Sequence, residues 1–415
     1  MRKLLPLLLL LAAVAACAGT GSEAGAPAPA AQTQLPHDPT SVLVMLEDPD
    51  DDEEIEEIRE DFAGIDITRL GQSSFFRIDV PLGIDLLTLL DSLDHDIRIV
   101  DSELNYLGRV PEGGPSGGTV FGDDLQASVA TQNALTTIRV PAAHAVARGA
   151  GIMVAVVDTG VDATHPLLAP HVLLGAGFDF IDQDGDPSEE RNFADDDGDG
   201  LIDEQFGHGT FIASLVLAVA PHATIVPVRV LNDDGVGTAS TIAAGIVWAA
   251  DAGSHVINVS VALPDAADAV KHAIDYARDR GAVVIAAAGN DGREDVIFPA
   301  RFGDVLAVTA SDNNGIVPIF ANHGSKVSVV APGVELIGAY PEAFSQRGTA
   351  RWTGTSFSTP LVSGTAALIF SAFPGIDPDE VLDRVVDTAM SLDAQNPGLS
   401  GRLGTGLINA AAAVR

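Results

Sequence analysis

Three short segments of this chain carry side chains that could share one proton-transfer and bond-making task. Val154-Ala155-Val156-Val157-Asp158-Thr159-Gly160 is an apolar run ending in a carboxylate and a glycine turn. Fifty residues beyond Asp158, Gly207-His208-Gly209-Thr210 leads into a second apolar stretch. A further 148 residues on, Gly354-Thr355-Ser356-Phe357-Ser358-Thr359-Pro360 opens a third. Singly, each has an ordinary structural use. A strand-ending aspartate and a pre-helical serine are common helix caps, and a histidine between glycines is a common loop residue. Together they supply a nucleophile, a base and an acid that orients the base. A serine hydroxyl is a weak nucleophile near neutrality, so an imidazole must take its proton and later return it to a leaving group. An aspartate can hold that imidazole in the useful tautomer and stabilise the imidazolium.

A second constellation lies between the aspartate and the histidine. Residues 179–204 hold twelve carboxylates and one arginine. Asp182-Gln183-Asp184-Gly185-Asp186 and Asp195-Asp196-Asp197-Gly198-Asp199-Gly200-Leu201-Ile202-Asp203-Glu204 alternate aspartates around glycines. The latter matches the first half of an EF-hand loop, a spacing that sets oxygen ligands around a hard cation. The twelfth position is Phe206 rather than the closing glutamate, so this is no EF-hand. A shorter calcium loop is expected, with ligands drawn from Asp182, Asp184, Asp186, Asp195, Asp197, Asp199 and Asp203. A solvated acidic loop is the alternative.

The elements that must position these residues are legible in the patterning. The 415 residues are 47% hydrophobic, enough for a large core. Acidic residues number 58 against 22 basic ones, which argues against nucleic acid as a partner. Met1-Arg2-Lys3 followed by an apolar run from Leu4 to Ala16 reads as a secretory signal, too short to span a bilayer. Cys17 is the only cysteine, so intrachain disulfides are impossible. Residues 17–40, rich in Ala, Pro, Gly, Ser and Thr, read as a flexible tether. Residues 41–110 show strand candidates at 41–46, 75–80 and 97–107 and helix candidates at 51–62 and 85–93, a small α+β sandwich. Residues 111–127 form a glycine-rich linker. From 128 to 415, apolar strands at 152–157, 225–230, 256–259 and 283–287 alternate with helices at 211–219, 239–250 and 266–280. Near-continuous apolar strands between helices indicate a doubly wound parallel sheet, with its chemistry at the carboxyl ends of the strands.

The order Asp158, His208, Ser356 and the residues around each resemble the three signatures of the subtilase family of serine peptidases. The resemblance runs over about 285 residues, from roughly 130 to the carboxyl end. It includes Val228-Arg229-Val230-Leu231, Gly245-Ile246-Val247-Trp248-Ala249 and the closing Gly404-Thr405-Gly406-Leu407-Ile408-Asn409-Ala410. It implies an endopeptidase acting on polypeptides through an acyl-enzyme. It also implies that Asn290, after Ala287-Ala288-Gly289, joins the Ser356 amide in stabilising the oxyanion. Ser260, Val261, Ala262, Ala288, Gly289 and Ile297 would then border the substrate. The module at 41–110 resembles the family's propeptide in position and element order, implying a chaperone and intramolecular inhibitor that is cut away within 108–130. Relatives often bind calcium just before the histidine motif, which supports the calcium expectation. Val14-Ala15-Ala16-Cys17 resembles a bacterial lipoprotein signal. The expected precursor is lipid-anchored at Cys17 in a bacterial cell envelope and released by processing, the alternative being a plain signal peptide with Cys17 incidental; a monomer is expected.

The sequence departs from the family at three places. Phe357 replaces a methionine and Leu361 a histidine after the serine motif. Ser260-Val261-Ala262 carries a methyl where a glycine is usual. Ile297 stands where many relatives have a small residue, so a shallow pocket for small or medium apolar side chains is expected. A non-catalytic binding protein on the same fold is disfavoured because every catalytic position is intact. A serine esterase of another α/β fold would need a histidine after the serine, and none follows Ser356.

Overall fold

Two modules divide the chain, and strand pairing joins them. The computed structural model describes residues 35–62, 64–112, 120–121, 126–341 and 348–415. The signal, Cys17, most of the tether and Gly113 to Gly118 lie outside the described residues. The first module runs β1 (His37–Leu46), α1 (Asp52–Asp61), β2 (Asp66–Arg69), β3 (Phe75–Asp79), α2 (Leu86–Leu93) and β4 (Ile99–Arg109). Asp51 caps α1 through the Glu53 and Glu54 amides, and Asp85 caps α2 through Thr88. One face of the sheet is apolar: Val42, Val44, Phe76 and Ile78 pack on Ile58, Leu89 and Leu93. Each such side chain, fully buried, contributes roughly 1.5–3 kcal/mol.

β1 begins at His37 rather than Ser41, so residues 37–40 are strand, not tether. Tyr106 on β4 pairs with His37, a contact that composition does not disclose. β2 escaped the sequence pattern because it is four residues long with a single buried side chain.

The second module carries β5 (Met153–Asp158), β6 (Phe178–Asp179), α3 (His208–Val219), β7 (Thr224–Arg229), β8 (Val236–Thr238) and α4 (Ala239–Asp251). After these come β9 (Val256–Val259), α5 (Asp268–Asp279), β10 (Val283–Ala287), β11 (Leu306–Ser311), β12 (Val329–Pro332) and α6 (Thr355–Ala372). Seven strands in the order β12-β11-β10-β9-β5-β7-β6 pair in parallel throughout. The sheet is the expected doubly wound α/β fold. β5, β9 and β10 are buried along their whole length, apart from the first residue of β5. Every residue of α3 is buried, as is α6 from Thr355 to Phe370, which explains why neither shows a polar face. α5 instead buries one stripe, Val270, Ile274 and Ala277 among it.

β4 pairs antiparallel with β8, so the first sheet reads β2-β3-β1-β4-β8 and crosses from one module to the other. Two sets of polar contacts reinforce that seam. The Glu103 carboxylate accepts the amides of Asp268 and Ala269 at the start of α5, both at 2.8 Å. Asn105 donates to Ser41 and Ser240 and accepts the Ser240 amide in the first turn of α4. The first module thus completes the N-termini of two helices in the second.

Candidate active site

β5 ends at Asp158, and β9 and β10 run beside it in register, so the residues following all three strands emerge on one edge. Ser260 follows β9 and Ala288-Gly289-Asn290 follows β10. Two helices begin over the same edge. His208 is the first residue of α3, and Ser356 the second of α6. α3 can lie against Asp158 only because residue 209 is glycine. A Cβ there would stand 2.1 Å from the Gly160 carbonyl oxygen and 3.1 Å from the Asp158 Cβ.

Asp158, His208 and Ser356 are all fully buried. Asp158 Oδ1 lies 2.7 Å from His208 Nδ1 and also accepts the Thr159 amide at 2.8 Å. The imidazole ring rests against Trp352 and Phe357, with centroids 5.5 Å and 5.3 Å away, and Phe211 packs on both of those rings. Phe357, the departure from the family pattern, therefore serves as the wall that holds the ring.

The polar groups of the site converge on a side chain the sequence reading passed over, Glu112. Its Oε1 accepts the Ser356 amide at 3.2 Å and the Asn290 side-chain amide at 2.8 Å. Its Oε2 accepts the Ser356 hydroxyl at 2.6 Å and stands 3.5 Å from His208 Nε2. Asn290 is oriented for this by its own oxygen, which accepts the Thr355 amide at 2.9 Å. One carboxylate thus fills the space where a reacting carbonyl carbon and its oxygen would sit. Burial pulls the His208 pKa down, but Asp158 and then Glu112 outweigh it and push it up to about 10. Glu112 therefore blocks the site by occupying its donors and its volume. Glu112 lies in the expected linker, directly before Gly113-Gly114, and matches no motif, so only that position could have singled it out.

A second carboxylate hidden among the acidic residues supports the histidine. Glu189 accepts the Gly207 amide on one oxygen, and the Thr210 amide and hydroxyl on the other, each at 3.0 Å. The Thr159 hydroxyl, 3.2 Å from Glu189, in turn accepts the Gly209 amide. Burial raises the Glu189 pKa to about 7 against the pull of those amides. Glu189 therefore ties the turn after β5 to the start of α3, and with it the aspartate to the histidine.

The expected substrate border is gathered here. The Ser260 hydroxyl donates to the Ser356 carbonyl at 3.2 Å, Val261 is fully buried, and Ala262 pairs with Arg109. Ile297 packs against Gly289, where an added Cβ would meet its side chain at 3.0 Å, and its amide bonds the Ala288 carbonyl. The expected metal ligands are not gathered as a set. Asp195, Asp197 and Asp199 each turn one oxygen within 4.8 Å of the others. Asp182 instead pairs with Arg229 beside Asp179, and Asp203 with Arg191. The Asp184 carboxylate accepts the Asp186 amide, and the Asp186 carboxylate accepts the Ser188 hydroxyl. Of seven candidates, geometry leaves three that could share an ion.

Comparison with known proteins agrees with this geometry. Residues 149–406 match the family model described as the subtilase family. The chain is 36% identical over 291 residues to subtilisin BL of Lederbergia lenta, covering 68% of this chain and 97% of that protein. It is 37% identical over 244 residues to thermitase of Thermoactinomyces vulgaris, covering 56% of this chain and 80% of that one. Among solved structures, fervidolysin from Fervidobacterium pennivorans, described as a keratinolytic enzyme related to subtilisin, superposes with a TM-score of 0.74 at 25% identity. That match covers 91% of this chain, which spans 61% of fervidolysin.

Proposed function

We propose, from the premise that this chain belongs to the subtilase family and is a serine endopeptidase, that it is made as a precursor held latent by Glu112. Ser356 attacks the peptide carbonyl while His208 takes its proton, and Asp158 holds the imidazole in the tautomer that leaves Nε2 facing the serine. The Ser356 amide and the Asn290 side chain donate to the oxyanion, aided by the positive end of α6. His208 then returns the proton to the leaving amine, and water repeats the cycle on the acyl-enzyme. One observation carries the assignment: the Glu112 carboxylate is bonded by Ser356 and Asn290 and borders His208.

Residues 41–110 act as an intramolecular inhibitor in this reading. Support comes from the β4–β8 pairing, from the Glu112 contact, and from a fervidolysin match whose coverage the second module alone could not reach. The chain is cut within 108–130 by its own Ser356. The test is intact mass of wild type beside Ser356→Ala, both lacking residues 1–16. Wild type should lose an N-terminal piece ending within that window while the variant stays whole. If both lose it, self-processing is wrong.

The basic, apolar, small-residue and cysteine order of residues 2–17 supports export and lipid attachment at Cys17. Among the described residues, no helix is long and apolar enough to cross a membrane. An anchor that precedes the inhibitory module would be lost with it, which would release the second module from the envelope. Membrane fractionation that still holds the processed enzyme would count against this.

Asp195, Asp197 and Asp199 are the calcium ligands we propose, and such an ion would stabilise the insertion rather than take part in catalysis. Their backs already accept loop amides, Gly198 on Asp195 and Leu201 on Asp199, which pre-sets the turn. At a calcium concentration about 100 times its Kd, roughly 2.7 kcal/mol of stability is expected. Chelation should then lower Tm by about 5 °C, and Asp199→Asn should remove most of that difference. Melting indifferent to chelator would leave a plain acidic loop.

A further inference from the structure

The structure assigns Asp197 a second task, the selection of a basic side chain at the third residue before the bond that is cut. This rests on the reading of Ser356 as nucleophile and adds a substrate preference to it.

Residues 107–110 cross the site as an extended strand. On one side, Leu107, Gly108 and Arg109 pair with Thr238, Gly237 and Val236, and the Val110 amide donates to the Gly235 carbonyl at 2.9 Å. On the other side Arg109 and Ala262 exchange both backbone hydrogen bonds, at 2.9 and 2.6 Å. Counting that antiparallel register onward sets residue 111 against Ser260, whose hydroxyl bonds the Ser356 carbonyl. Pro111 thus stands where the residue bearing the attacked carbonyl must stand, and Arg109 is the third residue back from the bond. Pro111 has no amide to give to Ser260, and the Glu112 side chain already occupies the donors at Ser356 and Asn290.

A substrate that adds between the same two edges places its third residue where Arg109 lies. The Arg109 guanidinium reaches the acidic insertion there, with Nη1 3.1 Å from Asp197 Oδ2. The Asp197 side chain is only 7% exposed, in contrast to the open Asp195 and Asp199 on either side. Its other oxygen accepts the Asp199 amide at 3.0 Å, which fixes Oδ2 toward the strand. A positive side chain there gains a partner, a neutral one gains none, and a carboxylate meets a like charge. The insertion is thereby a specificity element, and Arg109 is the inhibitory module's own use of it.

The test uses the full chain after it has processed itself, at one fixed calcium concentration. Peptides are identical except for Arg, Lys, Ala or Glu at the third position before the bond. Arg should exceed Ala by about fivefold in kcat/KM, with Lys ranking above Ala and Glu below it. Asp197→Asn should bring the Arg-to-Ala ratio close to one and Asp197→Lys should place Glu above Arg, whereas Asp199→Asn, which removes a proposed calcium ligand but not the carboxylate facing Arg109, should keep the wild-type ratio, with melting curves confirming that the variants fold. Wild-type cleavage indifferent to the third position, or an unchanged ratio in Asp197→Lys, would overturn this inference alone. A chain that neither processes itself nor cuts any peptide would overturn the proposed function first.

Discussion

Exchanging Ser356 for alanine should lower kcat for peptide hydrolysis by about 10⁶-fold, and adding His208→Ala should lower it no further. The size is that known for subtilisin, a relative of this chain. The lack of additivity is the sharper expectation. His208 is fully buried, bonded to Asp158 at 2.7 Å, and walled by Trp352 and Phe357. Such an imidazole has no proton to take once the hydroxyl is gone. Both variants would be freed of the first module by a tagged wild-type enzyme that is then withdrawn, and steady-state rates compared. A double variant a hundredfold slower than the single one would mean that His208 works independently of Ser356.

Asn290→Ala should cost about 10²–10³-fold in kcat, or roughly 2.7–4 kcal/mol, with little change in KM. This range too was established on subtilisin. The Asn290 amide is held by its own oxygen on the Thr355 backbone, so its donor is fixed before any substrate arrives. A fixed donor aimed at an oxyanion stabilises the transition state more than the bound ground state, which is why kcat rather than KM should carry the loss. The variant also removes one of the three donors on the Glu112 carboxylate, so its first module should dissociate more readily. A rise in KM with kcat unchanged would place Asn290 in substrate binding alone.

The fold was readable wherever apolar spacing repeats over a whole element. Ile274 and Ala277 marked the buried face of α5, and the run ending at Asp158 marked a covered strand. Triad and oxyanion residues could be found because each stands at the end of such an element. β8 was not readable, because Val236-Gly237-Thr238 becomes a strand only through β4, more than a hundred residues earlier. Glu112 and Glu189 were hidden for a different reason. Their roles come from where the chain folds back, and a carboxylate beside a linker or within an acidic run looks like any solvated one. The calcium reading suffered the converse fault. Spacing nominated Asp182 and Asp203, and the structure gives both to arginines that are distant in sequence or across the loop.

The seam between the modules bears on the order in which the chain folds. β1 closes with β3 and β4 across short stretches of chain, Val42 meeting Ile78 and Leu104. The parallel sheet must instead bring Val154 to Val256 before its core yields any return, which makes it the slower partner. Synthesis delivers the fast part first. By the time α4 and α5 emerge, Asn105 and Glu103 have been synthesised and can bond the first amides of both helices, so under the proposed maturation scheme the first module would lower the barrier that the second must cross. Were that module cut away as proposed, an enzyme molecule that unfolds would have lost its template. Its working lifetime would then be set by how slowly it opens, and not by how readily it would refold.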